Sequence, residues 1–177
     1  MDREERNELE LAEARRKVCA VFALLGVPYE IAEHAPIYSA FDRERQNVVV
    51  DALICKNLFL RNKEKNRYYL FTLPIDKRAD LVGLQKKLEE TRLSFGDADA
   101  LWEKLHIRPG SVSLLNIVGA YEAAASPPLR FLVDAETLTV PRIGVHPNDN
   151  AATIMFAAEH LPRFFEYYGA DFSFIEL

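Results

Sequence analysis

The stretch Cys55-Lys56-Asn57-Leu58-Phe59-Leu60 predicts a β-strand, because it is apolar, rich in aromatic and branched side chains, and followed by a polar turn at residues 61–66. Lys56 stands in this strand where an apolar side chain would be expected. Burying an ammonium group costs several kcal/mol unless an anion or hydrogen bonds meet it. Lys56 therefore either reaches an edge of the sheet, where a lysine blocks aggregation, or points into a pocket for a negatively charged ligand.

The alternation of side chains along a strand separates the residues of this stretch into two sets. Lys56 shares one face with Leu58 and Leu60, while Cys55 and Asn57 lie on the other. Both faces are mostly apolar, which predicts that the strand is covered on both sides. The position of Cys55 opposite Lys56 favours a packed core thiol over a nucleophile of lowered pKa.

Helices and strands are mixed along the rest of the chain without regular βαβ order. Apolar residues at helical spacing predict helices over residues 4–25, 39–46, 80–90, 97–105 and 159–168. Short apolar runs predict strands over residues 27–31, 48–60 (one strand or two), 68–73, 129–133, 139–145, 151–156 and 172–175. We expect Ser39 and Asp97 to cap their helices and Gly26 to end the first. Trp102 and Leu105 are expected to pack inward.

These elements predict an α+β (mixed α/β) fold in which helices surround a curved, mixed β-sheet. A length of 177 residues favours one domain over residues 1–177, with residues 1–26 as an N-terminal helix. Hydrophobic residues make up 49% of the chain and charged residues 28%, which is enough for a buried core. No apolar run approaches the roughly 20 residues of a membrane span, so we expect no membrane partner.

The two cysteines and the N-terminus indicate the compartment. The first residues are highly charged and lack the apolar core of a signal peptide. Cys19 and Cys55 are too few for a disulfide framework or a cysteine zinc site. We therefore expect two reduced, buried thiols in a cytoplasmic protein.

Charge is distributed unevenly along the chain. The net charge of −5 argues against a general nucleic-acid coat, and we expect no DNA partner. Residues 56–92 contain ten Lys and Arg against five Asp and Glu, a net +5, whereas the remainder has 12 against 22, a net −10. This basic window suits contact with a short anionic segment. The alternative is a solvated turn followed by a solvated helix face.

A second unusual run is Gly144-Val145-His146-Pro147-Asn148-Asp149-Asn150. Pro147 biases His146 towards an extended backbone, and Pro-Asn-Asp is typical of a turn. Gly144 allows a ligand or another backbone to approach closely. The ring of His146 is thereby held at a corner between strand and loop, a common place for a binding residue. The alternative is a plain β-turn with a surface histidine.

Other catalytic patterns are absent from the sequence. It contains no Gly-x-Ser-x-Gly elbow, no phosphate-binding glycine loop and no dinucleotide fingerprint. His34, His106 and His160 are isolated in the sequence, and no His or Cys pair has the spacing of metal ligands. We therefore expect neither a metal nor a cofactor.

Five segments together resemble one known family. They are residues 55–60, 73–81, 93–96, 109–112 and 146–150. In this order they are similar to the YbaK/ProX-type editing domains, which resemble the editing insertion of bacterial prolyl-tRNA synthetases. The resemblance runs from about Tyr29 to the C-terminus. It implies a mixed α/β fold around a curved sheet and a free-standing deacylase, without metal, that hydrolyses amino acids wrongly attached to tRNA, most often to proline tRNA.

The resemblance also implies roles for individual residues. Lys56 would hold the phosphate and sugar of the tRNA 3′ end, and Asn57 would be a neighbouring polar position in the pocket. His146 would contact the aminoacyl group and help to set its size. The loop from Gly144 through Val145 to Pro147 would supply backbone donors to the scissile carbonyl.

Two further residues of the second run, Asn148 and Asn150, are also expected to bind substrate. The chain offers no convincing protein general base, and in this family the 2′-hydroxyl of the terminal adenosine helps to activate water, so catalysis would depend on positioning.

The similarity around Lys56 and His146 favours alanine on proline tRNA as the substrate, while other branches of the family remove cysteine or other small residues. Prolyl-tRNA synthetase is a candidate partner besides tRNA. A non-catalytic module that binds aminoacyl-tRNA or a synthetase is the alternative from another class. The chain departs from the family at residues 116–128, which are expected to form an alanine-rich, proline-ended loop. Its last residues, 123–128, are the best candidate for a mobile surface loop.

Overall fold

The computed structural model describes residues 3–38, 40–123 and 129–177. The strands are β1 (Tyr29–Glu33), β2 (Leu53–Asn62), β3 (Tyr68–Pro74), β4 (Leu93–Phe95), β5 (Arg130–Asp134), β6 (Arg142–Val145), β7 (Ala152–Ala157) and β8 (Phe172–Ile175). The α-helices are α1 (Arg3–Leu25), α2 (Ala40–Arg45), α3 (Leu81–Lys87), α4 (Ala98–Leu105), α5 (Ile117–Ala123) and α6 (Leu161–Tyr168). None of the helices within these ranges has the length and hydropathy needed to cross a bilayer.

The strands form one mixed sheet in the order β1-β7-β6-β2-β3-β5-β8, with β4 paired to β2. The β2–β3 hairpin is antiparallel, as the turn between them predicts, and it places Lys56 opposite Leu73. On its other side β2 pairs with β6 only at Leu53 and Ile54, and with β4 only from Leu60 onward. Residues 55–58 of β2 therefore pair with β3 alone, although β2 is an interior strand.

The sheet is covered on both faces, as the apolar character of both faces of β2 predicts. Cys55 and Phe59 belong to the larger core, under α1, α5 and α6. Leu60 belongs to the smaller core, against which Leu58 packs, together with residues of α3. The predicted alternation is therefore confirmed, and Lys56 is on the side of the smaller core.

Several predicted boundaries are wrong by a few residues. The strand predicted over 48–60 begins only at Leu53 and is a single strand. The one predicted over 139–145 begins at Arg142, because Asp134 caps a short 3₁₀ helix that precedes it. Another 3₁₀ turn occupies the start of the helix predicted over 159–168. Strand β1 lies two residues later than predicted, and β4 was not predicted.

Helix α4 confirms one predicted cap and corrects one predicted side chain. The carboxylate of Asp97 accepts a hydrogen bond from the backbone N–H of Ala100, as expected for the cap. Leu105 is buried, but Trp102 is 50% exposed and does not pack inward as predicted. The buried stripe of α4 is formed by Ala100, Leu101 and Leu105, so Trp102 lies beside it.

The segment predicted as a loop contains a helix. Its residues Ile117–Ala123 form α5, because Ile117, Val118 and Ala120 are buried on one face of a helical turn. Residues 124–128 and the predicted cap Ser39 lie outside the described residues. Cys19 is only partly buried, unlike the fully buried thiol that was expected.

A buried amide pair joins the start of α5 to the loop after β6. The side chain of Asn116 accepts a hydrogen bond from Ser113 N at 2.7 Å and donates one to Asn148 Oδ1 at 2.8 Å. Asn148 in turn donates to Leu115 O at 3.1 Å, and the Ser113 hydroxyl donates to His146 O at 2.6 Å. This network fixes the backbone at His146 through its contact with Ser113.

We expect Asn116→Ala to lower the free energy of unfolding by about 2–3 kcal/mol, because it leaves several buried groups of this network unpaired. The measurement is urea unfolding followed by circular dichroism. An unchanged midpoint with an unchanged denaturant slope would contradict the role assigned to the amide pair.

Candidate functional site

A cavity of about 240 Å³ opens where β6 ends and leaves β2 without a partner. Four consecutive residues of β2 line it, which is expected when a cavity lies along the hydrogen-bonding edge of a strand. The lining residues come from three regions: Ile54, Cys55, Lys56 and Asn57 from β2; Gly144, Val145 and His146 from β6 and its end; and Ile37, Tyr38, Arg43, Ile75, Gly110 and Val112 from the surrounding loops and α2.

Lys56 is a partly buried cation in the wall of this cavity. Its Nζ donates a hydrogen bond to Ile75 O at 2.8 Å. An ammonium group has three donors, so this single bond leaves two for other acceptors. No carboxylate of the described residues lines the cavity. The cavity therefore presents positive charge that a ligand anion can meet.

Asn57 and Cys55, the polar neighbours of Lys56 on β2, differ in which of their groups remain available to a ligand. Asn57 Oδ1 accepts a hydrogen bond from Thr72 Oγ1 at 2.7 Å, so its amide nitrogen remains available. Burial, followed by the negative charge of Asp134, raises the pKa of the Cys55 thiol to about 12. Cys55 is thus protonated at neutral pH, in agreement with the expected core thiol.

His146 presents a neutral imidazole to the cavity. Its Nδ1 lies 3.0 Å from Ala152 O, and because a carbonyl only accepts, Nδ1 carries the proton and Nε2 is an acceptor. Burial lowers the pKa of His146 below its ordinary value of 6.5. The hydrogen bond to Ala152 opposes this shift, while the positive charge of Arg43 reinforces it.

The structure accounts for Gly144 by packing. A Cβ at this position would lie 2.7 Å from Ile54 Cδ1 and 3.2 Å from Thr153 Cγ2. The close approach expected at Gly144 is therefore made by neighbouring side chains of the sheet. Val145 follows in the same strand and is buried in the larger core.

Three of the predicted site residues do not line the cavity: Pro147, Asn148 and Asn150. Asn148 has a positive φ of 61°, and both ends of its side-chain amide are engaged by Asn116 and Leu115. Asn150 is buried, and its carbonyl accepts a hydrogen bond from Ile37 N at 2.9 Å. These residues shape the corner that carries His146.

Arg43, which lines the cavity, and His34, which does not, were not identified from the sequence. Arg43 Nη2 donates to Thr153 Oγ1 at 2.7 Å, and the same hydroxyl lies 3.0 Å from His34 Nε2. The rings of His34 and His146 are 6.3 Å apart. His34 looks isolated in the sequence because only the pairing of β1 with β7 brings it to Thr153. Arg43 lies in a short, strongly charged segment that resembles a solvated helix.

The basic window of residues 56–92 does not converge on the cavity. Lys63 and Lys65 are exposed in the β2–β3 turn, and Lys63 is seven residues from Lys56, or roughly 23 Å along an extended strand. Lys77 pairs with Asp134 at 2.9 Å. The positive charge of the cavity is therefore supplied by Lys56 and by Arg43, which lies outside the window.

Comparison with known proteins finds the same family that the sequence resembles. A family model described as the aminoacyl-tRNA editing domain matches residues 34–164. The prolyl-tRNA editing protein ProX of Acetoanaerobium sticklandii is 32% identical over 93% of this chain and 98% of its own length. The prolyl-tRNA synthetase associated domain-containing protein 1 of Bos taurus is 27% identical over 90% of this chain and 93% of its own.

Solved structures show the same fold. The crystal structure of a candidate trans-editing enzyme for prolyl-tRNA synthetase superposes with a TM-score of 0.65 at 17% identity, covering 93% of this chain and 97% of its own. A second crystal structure, of hypothetical protein APE2540, gives a TM-score of 0.66 at 17% identity over 89% of this chain and 97% of its own.

The lowered pKa of His146 predicts a pH dependence of stability. Well above pH 6.5 the histidine is neutral in both folded and unfolded chains and contributes nothing to the pH dependence of stability. Below pH 6.5, His146 takes up a proton in the unfolded chain but not in the folded chain, where its pKa is lower. The stability of the protein therefore falls as pH decreases towards the pKa of His146 in the folded chain. We expect His146→Gln to lose less stability than the native protein between pH 7.5 and pH 5.

Urea unfolding at several pH values measures this difference, with His160→Gln, outside the cavity, as the matched control. A native-like decline in His146→Gln would show that acid destabilisation arises elsewhere.

Proposed function

Because the chain belongs to the aminoacyl-tRNA editing domain family, we propose that it is a free-standing deacylase that hydrolyses the ester between a misattached amino acid and its tRNA. The relative ProX, matched over 98% of its length, is named for editing prolyl-tRNA. That name supports proline tRNA as the substrate nucleic acid. A prolyl-tRNA synthetase is the proposed source of the mischarged product.

The observation that carries this proposal is Lys56, a cation in an interior strand that lines a cavity without a carboxylate among the described residues. In the proposed complex its ammonium binds the phosphate and sugar of the 3′-terminal adenosine. The amide nitrogen of Asn57 adds a second donor beside it. Charge-assisted bonds of this kind are about twice as strong as neutral ones, so they would dominate the positioning of the ester.

The size and polarity of the cavity support a small aminoacyl group. A volume of about 240 Å³ is below the roughly 300–1,000 Å³ of sites that enclose whole small molecules. We assign it to the aminoacyl end of the tRNA, with alanine as the preferred residue. The neutral ring of His146, with Nε2 as an acceptor, would contact the aminoacyl group and limit its size.

In the proposed reaction, water attacks the ester carbonyl with help from the 2′-hydroxyl of the terminal adenosine. Cys55, whose thiol stays protonated at neutral pH, does not offer a base. Backbone N–H groups of the loop that contains Gly144 and ends at Pro147, which itself has no N–H, are proposed to contact the scissile carbonyl. Catalysis would then depend mainly on holding the ester and the hydroxyl in a reactive geometry.

We expect Lys56→Ala to lower kcat/KM for deacylation of mischarged tRNA by roughly 10- to 150-fold, since it removes a charge-assisted contact worth about 1.5–3 kcal/mol. Release of labelled amino acid from alanyl-tRNA(Pro) measures the rate. Lys63→Ala, which removes a cation in the exposed turn, is the control for general loss of positive charge. Near-native turnover by a folded Lys56→Ala variant would sink the assignment.

We expect the native protein to hydrolyse alanyl-tRNA(Pro) fastest, glycyl and seryl esters measurably, and prolyl-tRNA(Pro) very slowly, because bulkier side chains would clash in the cavity. One methyl-sized group is worth about 1–3 kcal/mol, or roughly 10- to 200-fold. His146→Ala should enlarge the cavity and blunt this preference. Rates on alanyl-, cysteinyl-, seryl- and prolyl-tRNA(Pro) measure it.

Two outcomes of this comparison would change the assignment. A native protein that prefers cysteinyl-tRNA would belong to another substrate branch. A native protein that binds mischarged tRNA but hydrolyses none of these esters would be a binding module.

A further inference from the structure

Arg43 is the cavity residue whose hydrogen bonding is least complete. One nitrogen of its guanidinium, Nη2, is bound to Thr153 Oγ1. A second nitrogen, Nη1, is buried and has no hydrogen-bond partner among the described residues. Buried donors are almost always paired, so an unpaired one on a residue that lines a cavity calls for an explanation. A ligand that brings an acceptor would provide it.

The position of the guanidinium is fixed by a chain of hydrogen bonds. His34 Nδ1 lies 2.9 Å from Ala35 O, which assigns the proton to Nδ1 and makes Nε2 an acceptor. The Thr153 hydroxyl therefore donates to His34 Nε2 and keeps a lone pair for Arg43 Nη2. Because Thr153 lies in β7 and His34 directly follows β1, the guanidinium has a fixed position before any ligand binds.

The charge around Arg43 favours an anion. Burial lowers the pKa of Arg43, and no carboxylate contributes to that shift. No carboxylate of the described residues lines the cavity, so Arg43 and Lys56 face it as two cations. Thr153 binds both Arg43 and His34, and the ring of His34 is 6.3 Å from that of His146. Arg43 therefore lies on the side of the cavity where the aminoacyl group is assigned.

We propose that Arg43 is a catalytic residue whose Nη1 donates to the carbonyl oxygen of the aminoacyl ester and stabilises the negative charge that develops there. This role rests on the proposed deacylase function. When the oxygen of water bonds to the carbonyl carbon, the π electrons move to the carbonyl oxygen beside Arg43. When that intermediate collapses, the C=O bond re-forms and the bond to the ribose 3′ oxygen breaks. The ribose oxygen takes one proton of water, and the amino acid leaves as a carboxylate after losing the other to solvent.

The first test separates a rate effect from a binding effect. Removing one oxyanion donor lowers kcat by roughly 100- to 1,000-fold, so we expect such a loss in Arg43→Ala, with KM changed less than about threefold. Arg43→Lys should recover part of the rate, and millimolar guanidinium chloride should raise the rate of Arg43→Ala alone. Arg45→Ala, on the exposed side of the same helix, is the matched control.

A kcat of Arg43→Ala within about threefold of the native value would overturn the proposal. Loss of rate through a lowered melting temperature, without rescue by guanidinium, would overturn it as well, because that pattern indicates a structural role only.

The second test does not need turnover. Adenosine 3′,5′-bisphosphate places a phosphate where the carbonyl of the ester would lie, whereas adenosine 5′-monophosphate does not. By titration calorimetry we expect Arg43→Gln to weaken the bisphosphate at least tenfold and the monophosphate little. Lys56→Ala should weaken both.

The two tests also separate this inference from the proposed function. Arg43-dependent binding of the bisphosphate, in a protein that hydrolyses no mischarged tRNA, would support the anion site and reject the deacylase. Native hydrolysis together with Arg43 variants that match the native protein in both rate and affinity would reject the role of Arg43 alone. If the native protein neither hydrolyses nor binds, both fall.

Discussion

The incomplete pairing of β2 is the constraint on which the candidate site depends. A strand in the interior of a sheet normally satisfies its backbone on both edges, but β2 exchanges β6 for β4 between Ile54 and Leu60. The exchange leaves a gap in the sheet at residues 55–58. Lys56 can therefore belong to the sheet and still border a cavity. Strand β6 ends at the same gap, and His146 directly follows it.

Polar side chains that never reach the cavity hold this gap open. Asn116, Asn148 and Ser113 satisfy one another and the backbone around His146 within the protein interior. Thr153 forms hydrogen bonds with both Arg43 and His34. Removing one member of such a network leaves buried polar groups unpaired and lowers stability, whereas a complete network fixes one geometry. The two networks hold an imidazole and a guanidinium beside one small space before a substrate arrives.

The sequence predicts those features that depend on neighbours in the chain. The alternation of Cys55 and Lys56, the β2–β3 hairpin and the Asp97 cap all follow from local spacing, and the structure confirms them. Trp102 was misplaced because helical periodicity alone does not decide which side of α4 meets the core. Arg43 and His34 could not be identified, because they meet only through Thr153, more than 100 residues away in the chain. Asn148 was assigned to the site by its place in a motif, whereas its contacts are those of a buried structural amide.

The protonation state of Cys55 bears on how the protein withstands oxidants. Peroxides react with thiolates, and a thiol with a pKa of about 12 supplies roughly one thiolate in 10⁵ molecules at pH 7. The sulfur is also buried against the larger core, with its hydrogen directed to Leu53 O at 3.7 Å. Cys55 can thus form part of the cavity wall without making the cavity sensitive to redox conditions. Oxidants that modify exposed catalytic thiols would therefore react only slowly with Cys55.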